Sequence, residues 1–269
     1  MLAIKNNLMA ANAARHLGQS YQALATSVER LSSGLRINRA SDDAAGLAVR
    51  ELMRADIAVL QQGARNAQDG LSMLQTMEGG MQTIDDLLVR MTQLAEQAAT
   101  GVYSQTQRSL MNNELSEIAS EIDRIAGSTD FNGISMLNNS ATVSIHFGGA
   151  TDTISIVGKN MDTSGLGLSG LSIGTAESAV AALTTLNSAI QTANTNRADF
   201  GAKMNRMENT VELLQAGAEN LQASESRISD VDVAAEMAAL TRNQVLAQAG
   251  VSMLAQANAI PQMALTLLR

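Results

Sequence analysis

Two histidines, His16 and His146, are the only imidazoles in the chain. Imidazole is the side chain that most readily takes and gives a proton near neutral pH. His16 falls on a helical pattern and His146 on a strand pattern, and each reads as an ordinary surface or packing residue. Cysteine is absent, which removes thiol nucleophiles, disulfides and thiolate metal sites. No G-x-S-x-G, phosphate-binding loop or zinc-ligand spacing occurs. The glycines of DGLSMLQTMEGG do not follow a phosphate-cradling order. Met73, Met77, Met81 and Met91 lie at or near helical spacing and read as flexible core filling rather than metal ligands. Asn138-Asn139-Ser140 fits the N-glycosylation pattern, a match short enough to arise by chance. Neither catalysis nor a cofactor is expected.

The residues that do stand out form no reactive set. Between Arg242 and the final Arg269, positions 243–268 carry no formal charge. Gln244, Gln248, Ser252 and Gln256 recur every four residues there. A solvated helix face normally carries Glu, Lys or Arg. Amides can be buried at lower cost than charges, so this face is expected to be covered by other helices in an assembly. Asn243, Gln244, Gln248, Ser252, Gln256, Asn258, Gln262 and Thr266 make the segment too polar for a span of about 20 mostly apolar residues.

Composition bounds what positions that tail. The net charge is -8 and only three lysines occur, Lys5, Lys159 and Lys203. That argues against a nucleic-acid scaffold, whose phosphate contacts need clustered Lys and Arg. Aromatics are limited to Tyr21, Tyr103, Phe131, Phe147 and Phe200, fewer than a thick globular core uses but enough for a thin bundle of long helices. The single proline, Pro261, leaves almost the whole chain open to long helices. The beginning, MLAIKNNLMAANAARHLGQ, lacks the apolar core of a cleaved signal peptide, so export is expected by another route.

Helical periodicity fills most of the chain. Ile4, Leu8, Ala11, Ala14, Tyr21, Leu24, Val28, Leu31 and Leu35 set the first stripe, with Gly34 as its stop and Ser41 as the next cap. Ala67, Leu71, Leu74, Met77, Met81, Ile84, Leu88, Met91, Ala95 and Ala98 form the second, closed by Gly101, with a bend expected at Gly79-Gly80. Ser104 and Gln107 form a capping box for a third helix, whose stripe is Met111, Leu115, Ile118, Ile122 and Ile125, ended by Gly127. Residues 128–175 are rich in Gly, Ser, Thr and Asn. Alternation at Val143, Ile145 and Phe147, then at Ile154 and Ile156, predicts a β-hairpin within 141–158. Helix resumes near Thr175 with a stripe of Val180, Leu183, Leu186, Ile190, Ala193, Phe200, Met204, Met207, Val211, Leu214, Ala218 and Leu221. After SRISD, with Ser229 as a cap, Leu246, Met253, Ile260 and Leu267 repeat every seven residues, Gly250, Ala257 and Ala264 lie four residues after the first three, and Pro261 is expected to bend or fray the last turn. The fold class is therefore mainly α: a long antiparallel helical bundle or coiled-coil rod, its N- and C-terminal helices paired, with a small β-hairpin region where the chain turns back. Roughly 40 helical residues span about 60 Å, and so thin a body exposes apolar surface that self-association would cover.

Four ordered blocks carry a family resemblance. RLSSGLRINRASDDAAG (30–46), ARNAQDGLSMLQTMEG (64–79) and EIDRIAGSTDFNGISML (121–137) resemble the N-terminal signature of bacterial flagellins. NQVLAQAGVSMLAQANAIPQMALTLLR resembles their C-terminus. The likeness covers about residues 1–137 and 176–269. It implies two terminal helices, 1–41 and 229–269, that pair as the inner domain D0, and a domain D1 over 42–228 that makes the outer tube. Only 48 residues, 128–175, remain for the outer insertions many flagellins carry, so a minimal form is implied.

The resemblance further implies a structural subunit of the flagellar filament that serves swimming motility, located extracellularly in the flagellum and secreted through the flagellar type III channel without a cleaved signal. Filament core packing is then assigned to Ile4, Leu8, Leu24, Val28, Leu31, Leu246, Met253, Ile260 and Leu267. The implied partners are other flagellin subunits, an export chaperone holding 229–269, and the filament cap and hook-junction proteins. A host Toll-like receptor that senses many flagellins through D1 would face Arg90, Leu94 and Glu114. Val89 and Thr92 stand where recognised members often carry polar or basic residues. Two other readings compete, a hook–filament junction protein and a membrane-active helical effector exported by a type III system.

Overall fold

The computed structural model describes residues 6–149 and 151–267. Five helices dominate: α1 (Leu8–Ser33), α2 (Ala44–Ala99), α3 (Gln105–Ser128), α4 (Ala176–Ser229) and α5 (Val233–Leu267). Two antiparallel strand pairs lie between α3 and α4: β1 (Asp130–Phe131) with β2 (Ile134–Ser135), and β3 (Thr142–His146) with β4 (Thr153–Val157). The expected mainly helical fold with a small hairpin is observed. Two compact units divide the chain, one of residues 1–57 with 219–269 and one of 58–218.

Several helix ends follow the sequence signals. Gly34 stops α1 in the left-handed region at φ 74°, its N–H donating to Arg30 O. A side chain would strain that conformation, and glycine carries none. Ser104 and Gln107 make the reciprocal capping box at α3. Other ends differ from expectation. Asp43, not Ser41, caps α2, its Oδ1 accepting from Gly46 N at 2.8 Å. Asp232, not Ser229, caps α5, its Oδ1 accepting from Ala234 N and Ala235 N at 2.9 and 3.1 Å. Ser229 is instead the buried last residue of α4. A carboxylate at a cap answers both the free N–H groups and the helix dipole, so the aspartates take the role.

The unit formed by 58–218 holds the main core. Ala67, Leu74, Met77, Met81, Ile84, Leu88, Met91, Ala95 and Ala98 line one face of α2 and are fully buried. Leu115, Ile122 and Ile125 from α3 and Leu186, Ala189, Ala193, Phe200 and Met207 from α4 complete it. In α4 the buried face begins at Ala179 and Ala182, while Val180 is exposed. The expected stripe was one position out of phase there, because alanines rather than the branched residue face the partner helices.

Gly79-Gly80 does not break α2. A Cβ at Gly80 would lie 2.8 Å from Thr129 Oγ1 and 2.9 Å from Leu137 Cδ1, so glycine there serves a close approach, not a bend. The hairpin β3–β4 pairs Ser144 with Ser155 at its centre and turns Ile154 and Ile156 into the core. The smaller hairpin β1–β2 was not foreseen. Asn132 and Gly133 connect it, both at positive φ, 52° and 77°, as a two-residue mirror-image turn requires.

Arg197 of α4 ties itself to α2 through polar contacts. Its Nη2 donates to Glu78 Oε1 at 2.8 Å and its Nη1 to Asp85 Oδ2 at 3.2 Å. The hydrogen bond to Glu78 and the two carboxylate charges hold the guanidinium even more firmly protonated than usual.

Candidate assembly surface

α1 and α5 are built from good helix formers, chiefly Ala, Leu, Gln and Met. They pack along each other. Three contacts fix the direction as antiparallel. Asn7 Nδ2 donates to Ala257 O at 2.7 Å, Gly250 faces Leu17, and Arg30 meets Glu236 at 3.7 Å.

The less exposed positions reveal the seam. On α1 they include Ala10, Ala13, Leu17, Ser20, Leu24, Ser27 and Leu31. On α5 they include Leu240, Asn243, Ala247, Gly250, Leu254 and Ala257. Both sets step by alternating three and four residues, the spacing of a coiled-coil seam. Small residues dominate, so the two backbones come close. A Cβ at Gly250 would sit 3.1 Å from Leu17 Cδ1.

Two short connectors meet beyond the seam. Leu35 and Asp230 form an isolated antiparallel bridge. Arg36 N–H donates to Ser229 O at 2.6 Å and Val231 N–H to Gly34 O at 3.0 Å. The Arg36 guanidinium also donates to Ile228 O, at 2.8 and 3.2 Å. In the α1–α2 connector the Arg39 N–H, helped by that of Asn38, holds the Asp42 carboxyl below its ordinary pKa. Arg50, nearly buried, donates to Ile37 O at 2.8 Å.

The seam takes up Leu17, Leu24, Leu31, Leu240 and Leu254 but leaves other large apolar residues outside. Of the positions assigned to filament packing, Leu24 and Leu31 lie on the seam and are partly buried. Leu8 is 72% exposed, Val28 50%, Leu246 50% and Met253 61%. Ile260 is partly buried. Ile4 and the side chain of Leu267 lie outside the described residues. Met9, Tyr21, Val245 and Val251 add to the exposed set. Gln244, Gln248, Ser252 and Gln256 are exposed too, so nothing within the described chain covers the uncharged face of α5. Sequence reasoning found the heptad of Leu246 and Met253 and noted Gly250 and Ala257 four residues after them, but did not read those small residues as the seam. Its signal was the spacing of Leu240, Asn243, Ala247, Gly250, Leu254 and Ala257.

α5 stays helical through Pro261 to Leu267, against the expected interruption. No helix among the described residues is long and apolar enough to cross a membrane. No group of three or more potential metal ligands gathers among them either. His16 is exposed on α1 and His146 is exposed at the end of β3. In the other unit, Arg90 Nε and Nη2 donate to Glu114 Oε1 at 3.0 and 2.6 Å, and both side chains are about half exposed. Leu94, grouped with them in sequence, is 2% exposed. It belongs to the core, so only Arg90 and Glu114 of that trio present side chains to solvent.

The paired termini match known proteins. Residues 4–142 fit the bacterial flagellin N-terminal helical region and residues 183–268 the bacterial flagellin C-terminal helical region. The chain belongs to the bacterial flagellin family. It is 44% identical to the flagellar filament 33 kDa core protein of Treponema phagedenis, over 99% of both chains. It is 40% identical to a flagellin of Halalkalibacterium halodurans, again over 99% of both. The crystal structure of Bacillus cereus flagellin superposes with a TM-score of 0.51 at 33% identity, covering 60% of this chain and 94% of that one. A putative flagellar hook-associated protein from Vibrio parahaemolyticus gives a TM-score of 0.60 at 13% identity, covering 70% and 100%. That second likeness is one of fold alone and does not favour the junction reading, and the membrane-effector reading is not favoured either. This flagellin is a structural subunit of the flagellar filament, polymerising with other flagellin subunits, and not an enzyme.

Proposed function

We propose that the apolar residues the seam leaves outside, Leu8, Val28, Leu246 and Met253, are the surface by which each subunit packs on its neighbours in the filament core, together with Ile4, Ile260 and Leu267. Leu24 and Leu31 hold α1 to its own α5. The helix pair, 1–41 with 229–269, is the inner domain D0, and 42–228 is the outer domain D1. The observation that supports this reading is the exposure of large apolar side chains on the faces of two helices that their shared seam does not cover. Such a patch marks an interaction surface. The uncharged face of α5 can be covered without stranding a charge. A heterologous, non-closing contact then repeats along a helical polymer.

Met253→Glu tests it. The seam is untouched, so the monomer's helix content stays as it is. A carboxylate placed in an apolar contact has no partner, and elongation from filament seeds, followed by electron microscopy, is expected to stop. Normal elongation by Met253→Glu would overturn the assignment.

The same face of 229–269, before assembly, is the surface a flagellar export chaperone would hold, and the cap and hook-junction proteins would meet subunits at the filament ends. Export without a cleaved signal belongs to this reading. Arg90 and Glu114 form the solvent-facing part of a contact for a Toll-like receptor, with Leu94 beneath them as support. Arg90→Ala removes both hydrogen bonds to Glu114 and is expected to lower receptor signalling by monomeric flagellin. Signalling equal to that of the native chain would remove the receptor from the list of partners.

A further inference from the structure

Pro261 poses a problem that α5 must solve. In a continuous helix the N–H of residue 261 donates to the carbonyl of residue 257. Proline has no N–H, and its ring crowds that same carbonyl. α5 nevertheless continues through position 261. The oxygen left over is that of Ala257, a buried residue on the seam. An unpaired buried carbonyl is costly.

The missing donor comes from α1. Asn7 Nδ2 donates to Ala257 O at 2.7 Å. The other end of the same amide caps α1, Oδ1 accepting from Ala10 N at 3.1 Å. One side chain therefore starts α1 and completes α5. Serine or aspartate would cap equally well, but neither is a donor and acceptor of this reach. An amide supplies both functions without a charge.

We infer that Asn7 is the positioning residue that sets the register of α1 on α5, by supplying the hydrogen bond that Pro261 withholds from Ala257. Seams that repeat leucines and small residues specify register weakly, because one heptad step looks much like the next. A single polar pair fixes it. Away from its C-terminal turn, α5 has one such gap, opposite its single proline, so only one register satisfies it. Subunits whose helices pair in that register present Leu8, Leu246 and Met253 in the arrangement the neighbours must match.

The test is a double-mutant cycle on the full chain, read as the critical concentration for seeded filament growth. Asn7→Ser keeps the cap and removes the donor. Pro261→Ala restores the helical N–H and makes the donor unnecessary. With Pro261 present, Asn7→Ser is expected to raise the critical concentration about tenfold, the scale of one lost hydrogen bond to a buried group. In the Pro261→Ala background the same substitution is expected to have little effect, so that Asn7→Ser/Pro261→Ala grows nearly as well as Pro261→Ala alone. Should Asn7→Ser fail to grow at all, recovery by Pro261→Ala supports the inference just as well. An equal penalty in both backgrounds, or no penalty in either, overturns it: Asn7 would then act as a cap alone or not at all. The native chain and Pro261→Ala provide the two baselines, so a general failure of polymerisation is told apart from a failure of this contact.

Discussion

Removing residues 233–269 is expected to abolish filament growth and to cost more helix than is cut away. α5 contributes 35 residues and α1 another 26. Once α5 is gone, Ala10, Leu17, Leu24 and Leu31 have no seam to face. Most of a helix's stability in a protein comes from packing its apolar face rather than from propensity, so α1, left without its partner, is expected to melt as well. The far-ultraviolet circular dichroism of the truncated monomer should fall by the equivalent of both helices. The unit 58–218 keeps its own core, headed by Met77, Met81, Ile84, Leu88 and Phe200, and its cooperative unfolding should persist. Loss of the α5 signal alone would show that α1 is held by something other than α5. Filaments formed by the truncated chain would show that the helix pair is not the assembly element.

Phe200→Ala is expected to do the opposite: to weaken the monomer without addressing the assembly surface. Phe200 has no exposed area. It packs in the core to which α2, α3 and α4 all contribute. Truncating a buried phenylalanine removes its transfer free energy and leaves a cavity, about 3–5 kcal/mol together. A domain stable by about 5–15 kcal/mol feels that as a large drop in thermal midpoint. Met253→Ala, at a residue 61% exposed, should leave the monomer's midpoint nearly unchanged. Equal losses for the two variants would mean that the division between core and outward face has been misread.

Much of the fold was legible because local chemistry decided it. Gly34 and the Ser104–Gln107 box mark ends whose geometry depends on a few neighbouring atoms. Val143, Ile145, Ile154 and Ile156 alternate strictly, so the hairpin at 142–157 could be placed. Apart from the two caps that Asp43 and Asp232 take, the main errors fall where a distant residue decides. Gly80 reads as a weak point until Thr129 and Leu137 are seen against it. Ser229 reads as a cap until it is found buried, its carbonyl accepting from Arg36. Pro261 reads as a break until Asn7, far away in sequence, is found donating to Ala257. Asn132-Gly133 was the opposite case, a strong local turn signal inside a stretch recognised for another reason and not used as one.

The assembly surface shows the same limit. A seven-residue repeat of Leu246, Met253 and Ile260 can be read from sequence. Periodicity says that one face is apolar, not which partner covers it. Only the packing of α1 against Ala247, Gly250 and Ala257 turns Leu246 and Met253 outward. Likewise Leu94 stands among helix charges in sequence, yet it is the apolar member that the core takes up.

The central claim is that other subunits cover the outward face of α5. The chain has no cysteine, so Met253→Cys provides a single thiol at its middle. The measurement is the rate at which a maleimide labels that thiol in the free monomer, in assembled filaments and in filaments returned to monomer by heating. An exposed thiol reacts readily and a covered one does not. The account predicts fast labelling of the monomer, near-complete protection in the filament, and recovery of the fast rate on depolymerisation. Equal rates in monomer and filament would place residue 253 on an open surface of the polymer and contradict the account.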